Sequence, residues 1–205
     1  SFPTRRSSDL PESLVKVKGN VVMTNPIAGS RPRGKTPKED ELLKEELLND
    51  EKELAEHLML VDLGRNDIGK ISEFGSVKLD KFMEVEAFSH IMHICSKVSG
   101  TLKNELNCFD ALKSCLPVGT VSGAPKIRAM EIIDELENTR RGIYSGAIGY
   151  FSYGGDMDTC IAIRTIVFKD DFAYVQGGAG IVYDSVPETE YTETLNKTMA
   201  LMEVL

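Results

Sequence analysis

Hydrophobic and polar positions change period several times along the chain, and each change predicts an element. In residues 14–23, Val15, Val17, Val21 and Val22 flank a Gly19-Asn20 turn, the pattern of a β-hairpin. Thr36-Pro37-Lys38-Glu39 reads as a capping box that opens a helix with Leu42, Leu43 and Leu47. Asn49-Asp50 breaks it, and Asp50 with Glu53 caps a second helix to about residue 63, with Leu54, Leu58 and Val61 as its buried stripe. Residues 76–81 predict a short strand. Residues 91–102 alternate, with Met92, Ile94 and Val98 on one side and His93, Cys95 and Lys97 on the other. Asn107 and Asp110 start a short helix containing Leu112 and Leu116. Residues 143–153, 159–168 and 172–176 predict an antiparallel meander of consecutive strands. Ser185-Val186-Pro187-Glu188 opens a last helix, and its apolar stripe of Tyr191, Leu195, Met199 and Met202 is expected to hold it to a core. The pattern is α+β with a largely antiparallel sheet, without βαβ alternation.

Composition narrows the classes. The chain has 205 residues, 41% hydrophobic and 27% charged, an ordinary globular balance. Its net charge of −8 argues against nucleic acid as a partner. No apolar run reaches the roughly 20 residues of a membrane span, and no secretory signal is visible. Cys95, Cys108, Cys115 and Cys160 lack zinc or CxxC spacing, which fits reduced thiols in a cytoplasmic protein. Residues 1–10, SFPTRRSSDL, lack periodicity and read as a disordered or non-native leader to a domain over 11–205.

Several stretches could carry chemistry. Gly177-Gly178-Ala179-Gly180 can bring backbone amides to a ligand, and Glu190 and Glu193 share one face of the helix that follows. Two carboxylates beside unbonded amides could hold a divalent cation and an anion; a solvated acidic face is the plainer alternative. Glu53 and Glu56 are likewise three apart, and Glu56 is expected to face solvent. Residues 27–35, IAGSRPRGK, form a basic loop by pattern. Residues 117–133 set Gly119, Thr120, Ser122 and Gly123 before a helix beginning near Ala124, whose N-terminus suits an anion or is simply Ser-capped. Arg164 sits in the apolar run IAIRTIV, where a buried charge needs an anionic ligand or a carboxylate. A lone His93 is more often structural than catalytic. The glycines at 177, 178 and 180 do not make GxGxxG, which removes a dinucleotide fold.

Taken together, PIAGSRPRG, AEHLMLVDLGRND, FSHIMHICSKVSG, GTVSGAPKIRAMEIIDELENTRRG, YSGAIGYFSYGGDMDTCIAIRT and GGAGIVYDSVPETEYTETLNK resemble the chorismate-utilising enzymes, most closely the anthranilate synthase large subunits. The likeness runs from about Pro11 to Leu205 and covers the back part of such subunits. It implies that family's fold, antiparallel sheets flanked by helices, incomplete at the N-terminal side.

The resemblance also implies roles. Mg²⁺ would fall on Glu56, Glu190 and Glu193, with Lys197 near the ring carboxylate of chorismate. The enolpyruvyl carboxylate would meet Arg164, the Tyr144 hydroxyl and the amides of Gly178, Ala179 and Gly180. Gly29, Ser30 and Thr120 would line the site. His93 would exchange a proton with the departing hydroxyl, and Glu12 is a second acid/base candidate. Ammonia would come from a glutamine amidotransferase subunit, since no Cys-His glutaminase motif is present. Aminodeoxychorismate synthases typically carry lysine where this chain has Ala28, which favours anthranilate. Isochorismate synthases match the RAMEIIDELE and DMDTCIAIRT stretches less closely. An inactive fragment of the family and an acidic interaction module complete the alternatives.

Overall fold

A computed structural model of the protein describes residues 12–88, 91–203 and 205. The leader expected over residues 1–10 lies outside them. The chain divides into two compact units. One holds Ser13–Cys115 and Gly149–Thr159; the other holds Leu116–Ile148 and Cys160–Leu205 together with Glu12.

The first unit begins with the hairpin that the valines predict, β1 (Ser13–Lys18) and β2 (Val21–Thr24), turning at Gly19 with φ +59°. Residues 27–35 are not a free loop. Ile27–Pro32 is a strand, β3, paired antiparallel with β5 (Ile91–Thr101). Its register shifts between Ala28 and Ser30, where Gly29 takes φ +69°. A bulge there needs the left-handed backbone that glycine adopts without cost.

The helices α1 (Pro37–Leu48) and α2 (Glu51–Gly69) follow. Thr36 caps the first through the amide of Glu39, and Asp50 caps the second through Lys52 and Glu53. α2 runs six residues beyond the expected end at 63, because Asp67 and Ile68 still face the interior. Its buried face is also rotated from the expected stripe. His57, Leu60, Val61 and Ile68 are buried, while Leu58 is exposed.

β4 (Lys78–Ala87) pairs with one edge of β5, whose other edge is shared by β3 and β2. One side of the alternation read in β5 holds, with Met92, Ile94 and Val98 buried under α2; on the other side His93 and Lys97 are half-buried but Cys95 is buried as well. With Val15, Val17, Val22 and Leu47 they form a hydrocarbon core, each side chain contributing about 1.5–3 kcal/mol. α3 (Cys108–Cys115) closes this unit, with the Asn107 side chain accepting from Phe109 N–H. All four cysteines are buried.

The second unit starts with the short α4 (Gly119–Ser122) and α5 (Lys126–Leu136). α5 begins two residues later than expected, after Pro125, and no side chain caps it. Ser122 instead donates back to the Val118 carbonyl. β6 (Ala147–Phe151) and β7 (Met157–Ile161) divide between the units and extend the sheet in the order β3-β5-β2-β1-β7-β6. The expected meander breaks after β7. Arg164 takes φ +51° and is exposed, so it lies in no strand and carries no burial cost. β8 (Ile166–Lys169) and β9 (Phe172–Val175) form a separate two-stranded sheet.

Helix α6 (Pro187–Met202) has proline in its first turn, but Val186 stands at the cap. Ser185 accepts from Val182 N–H instead of capping the helix. The stripe of Tyr191, Leu195, Met199 and Met202 does not reach a core; all four are exposed. No helix of the described residues is long and apolar enough to cross a membrane.

Candidate functional site

In the second unit, α6 and the irregular segment after β9 bring five of the expected residues together. The carbonyl of Gly178 accepts from Lys197 Nζ at 3.2 Å. A Cβ at Gly178 would stand 3.1 Å from the Tyr144 hydroxyl, so only glycine lets that ring approach freely. The Arg164 guanidinium donates to the Lys197 carbonyl at 2.9 Å. Lys197 is also paired with Glu193 one turn before it on α6. Among the described residues, the amides of Gly178, Ala179 and Gly180 donate no hydrogen bond. These groups are linked pairwise through Gly178 and Lys197, and unbonded amides, basic side chains and a phenol hydroxyl are groups that can meet an anion. Burial pushes the Tyr144 hydroxyl above its ordinary pKa, a rise partly offset by Arg141 and Arg164, so it stays a proton donor.

Glu190, three residues before Glu193, is the one buried side chain among those described on α6. Its carboxylate makes no ion pair or hydrogen bond among the described residues. Carboxylate oxygens are hard donors of the kind that suit a divalent ion. No three His, Cys, Asp or Glu side chains of the described residues converge into a metal cage.

Glu12 and Thr120 meet in the same unit. Burial pushes the Glu12 carboxyl up to about 7, and a hydrogen bond with the exposed Thr120 hydroxyl moderates the rise. At neutral pH both its acid and its base forms are present.

The first unit assembles its own cluster at the β3 bulge. His93 Nδ1 lies 2.9 Å from the Gly29 carbonyl. A carbonyl only accepts, so Nδ1 carries the proton and Nε2 is the nitrogen left to exchange one. The Phe88 ring meets the imidazole edge-on at 5.8 Å. Ser30 is exposed, opposite His93 in the ladder. Glu56 is exposed on α2, as its position beside the apolar stripe implies.

Sequence reasoning gave no site role to three neighbours of these residues. The Glu53 carboxylate lies 3.2 Å from where a Gly29 Cβ would stand. Its spacing from Glu56 was the signal for it. Arg141 sits 5.6 Å above the Tyr144 ring and is gripped by Glu137. Arg31, beside Ser30, binds three acidic residues. Neither arginine has a local pattern that sets it apart.

Residues 8–203 match the family profile described as "chorismate binding enzyme". The chain is 60% identical over 195 residues to a relative from Acetivibrio thermocellus named anthranilate synthase component 1, covering 95% of this chain and 40% of that one. The solved structure of anthranilate synthase component I from Streptococcus pneumoniae TIGR4 aligns with a TM-score of 0.87 at 59% identity, over 94% of this chain and 42% of that one. A menaquinone-specific isochorismate synthase from Escherichia coli shares the fold, with a TM-score of 0.83 at 24% identity over 94% of this chain and 44% of that one. The chain thus spans less than half the length of these relatives.

Proposed function

Because the chain belongs to the chorismate binding enzyme family, we propose that it carries the large-subunit chemistry of anthranilate synthase: chorismate and ammonia give anthranilate, pyruvate and water. The observation that supports this most is that Tyr144 and Lys197 meet at Gly178, at the start of a run of unbonded amides, with Arg164 held on the Lys197 carbonyl. Chorismate is a dianion, and a planar guanidinium matches one of its carboxylates. In this reading the enolpyruvyl carboxylate meets Arg164, the Tyr144 hydroxyl and the three amides. Lys197 stands near the ring carboxylate, and Gly29, Ser30 and Thr120 line the site.

Glu190 and Glu193, with Glu56 as the third carboxylate carried over by resemblance, would hold Mg²⁺. Glu190, whose carboxylate makes no ion pair or hydrogen bond among the described residues, is the feature of this chain that fits a cation. Bound there, Mg²⁺ supplies compensation for carboxylate charge. The chain's own groups handle the protons. Ammonia adds at ring C2 as the 4-hydroxyl departs as water, taking its proton from Nε2 of His93 in the doubly protonated form, and the ammonium formed at C2 returns a proton to Nε2. Glu12, poised near neutral pH, then takes the C2 proton as the ring C–O bond to the enolpyruvyl group breaks, and the enolpyruvate released gains a proton at its methylene carbon to become pyruvate. Ammonia would come from a glutamine amidotransferase partner, in the cytoplasm.

The test is a product assay with chorismate, Mg²⁺ and an ammonium salt, read by fluorescence and mass. Anthranilate that disappears with EDTA and in Glu193→Gln is the expected result. Isochorismate as product, or a melting temperature that chorismate with Mg²⁺ leaves unmoved, would overturn the reading.

A further inference from the structure

The guanidinium of Arg31 joins more groups than any step above needs. Its Nε donates to Glu46 on α1 at 2.8 Å, and Nη2 donates to Asp50, the cap residue of α2, at 2.9 Å. Nη1 donates to the carbonyl of Ser30 at 2.9 Å and lies 3.7 Å from Glu53 on α2. Asp50 is shared: one oxygen accepts the amides of Lys52 and Glu53 while the other accepts Arg31. One planar fork therefore ties the β3 bulge to the end of one helix and the start of the next.

What the fork holds is the part of β3 nearest His93. The carbonyl of Gly29 is taken by His93 Nδ1 and the next carbonyl, that of Ser30, by Arg31. The Glu53 carboxylate lies over Gly29. Two consecutive carbonyls are fixed from two sides at a residue whose φ of +69° lets the backbone reverse locally.

We propose that Arg31 is a positioning residue: by holding the Ser30 carbonyl and Glu53, it fixes the bulge that presents Gly29 and Ser30 to substrate and keeps His93 in its Nδ1–H tautomer. This rests on the reading of Gly29, Ser30 and His93 as site residues. A purely structural strut would behave differently. Its loss would lower the folded fraction, and with it the activity amplitude, at unchanged KM.

The experiment compares Arg31→Ala and Arg31→Lys with Glu46→Ala, which removes only the exposed outer partner. KM for chorismate and kcat are measured, together with the long-range ¹H–¹⁵N spectrum of the His93 ring in ligand-free protein. Arg31→Ala is expected to raise KM tenfold or more, to lower kcat tenfold or more because His93 loses its orientation, and to lose the Nδ1–H pattern. Arg31→Lys, a point charge without the fork, is expected to raise KM at least threefold. Glu46→Ala is expected to leave KM within twofold. An unchanged His93 spectrum in Arg31→Ala, or activity lost at unchanged KM, overturns the proposal. If the wild type makes no anthranilate, it is the proposed function that fails, and the His93 spectrum alone then decides the role of Arg31.

Discussion

Helices α2 and α6 both carry candidate carboxylates, and they pack in opposite senses. α2 buries Leu60, Val61 and Ile68 and leaves Glu56 exposed. α6 buries Glu190 and leaves Tyr191, Leu195, Met199 and Met202 exposed. Both helices have an apolar stripe at helical spacing. The difference is that β3 and β5 lie under α2, whereas among the described residues nothing covers the stripe of α6. An amphipathic pattern therefore says that a face can be buried; whether it is buried depends on what else the chain brings there.

The sharpest way to break this contrast is to truncate one residue on each side. Ile94 is fully buried beneath α2, and Ile94→Ala should cost about 3–4 kcal/mol through lost transfer energy and a residual cavity. Met199→Ala on the exposed stripe should stay within about 0.5 kcal/mol. Urea unfolding of the two variants measures both. Equal losses would mean that the stripe of α6 is covered in solution.

The buried titratable groups of the two units sharpen the contrast through pH. Glu12 has its pKa raised from 4.5 to about 7 by burial. Its folded form binds the proton more tightly, so the stability it gives is full below about pH 4.5 and is lost as pH rises through 7. The loss amounts to up to about 3 kcal/mol. His57, fully buried with Nε2 2.7 Å from the Ser96 hydroxyl, is pushed down to about 4. Its contribution is full above pH 6.5 and is lost as pH falls through 4, the opposite slope. Glu12→Gln should flatten the fall in melting temperature between pH 5 and 8. If the variant and the wild type fall in parallel, Glu12 is not the group responsible.

Which parts were legible in the sequence follows the same division. The β1–β2 hairpin, the starts of α1 and α2 and the alternation of β5 are written locally, in caps, a turn glycine and a period of two. β3 was hidden because its glycine, proline and arginine look like a loop. Its ladder with β5 and the acids that hold Arg31 come from 15 to 64 residues away. The sequence suggested a burial problem at Arg164 that a single residue at positive φ removes. Of the candidate site, Glu190 and Glu193 could be paired by spacing. The meeting of Tyr144 with Gly178, and of Arg164 with Lys197, rests on contacts that no local pattern encodes, and only family resemblance put those residues together beforehand.

The smallest effect concerns the two helix starts that look alike on paper. Thr36 stands one residue and Ser185 two residues before a proline, and each is three residues before a glutamate. The Thr36 hydroxyl accepts the Glu39 amide at 3.2 Å and so satisfies one of the open donors of α1. The Ser185 hydroxyl turns the other way, accepting Val182 N–H at 3.0 Å, and α6 starts without a side-chain cap. Thr36→Ala should therefore destabilise its unit by about 1 kcal/mol, while Ser185→Ala, which removes one turn hydrogen bond in an exposed segment, should cost at most about 0.5 kcal/mol. Denaturant midpoints compare the two directly. A larger loss at Ser185 would show that the capping box forms in solution after all, and that the start of α6 is held as firmly as the start of α1.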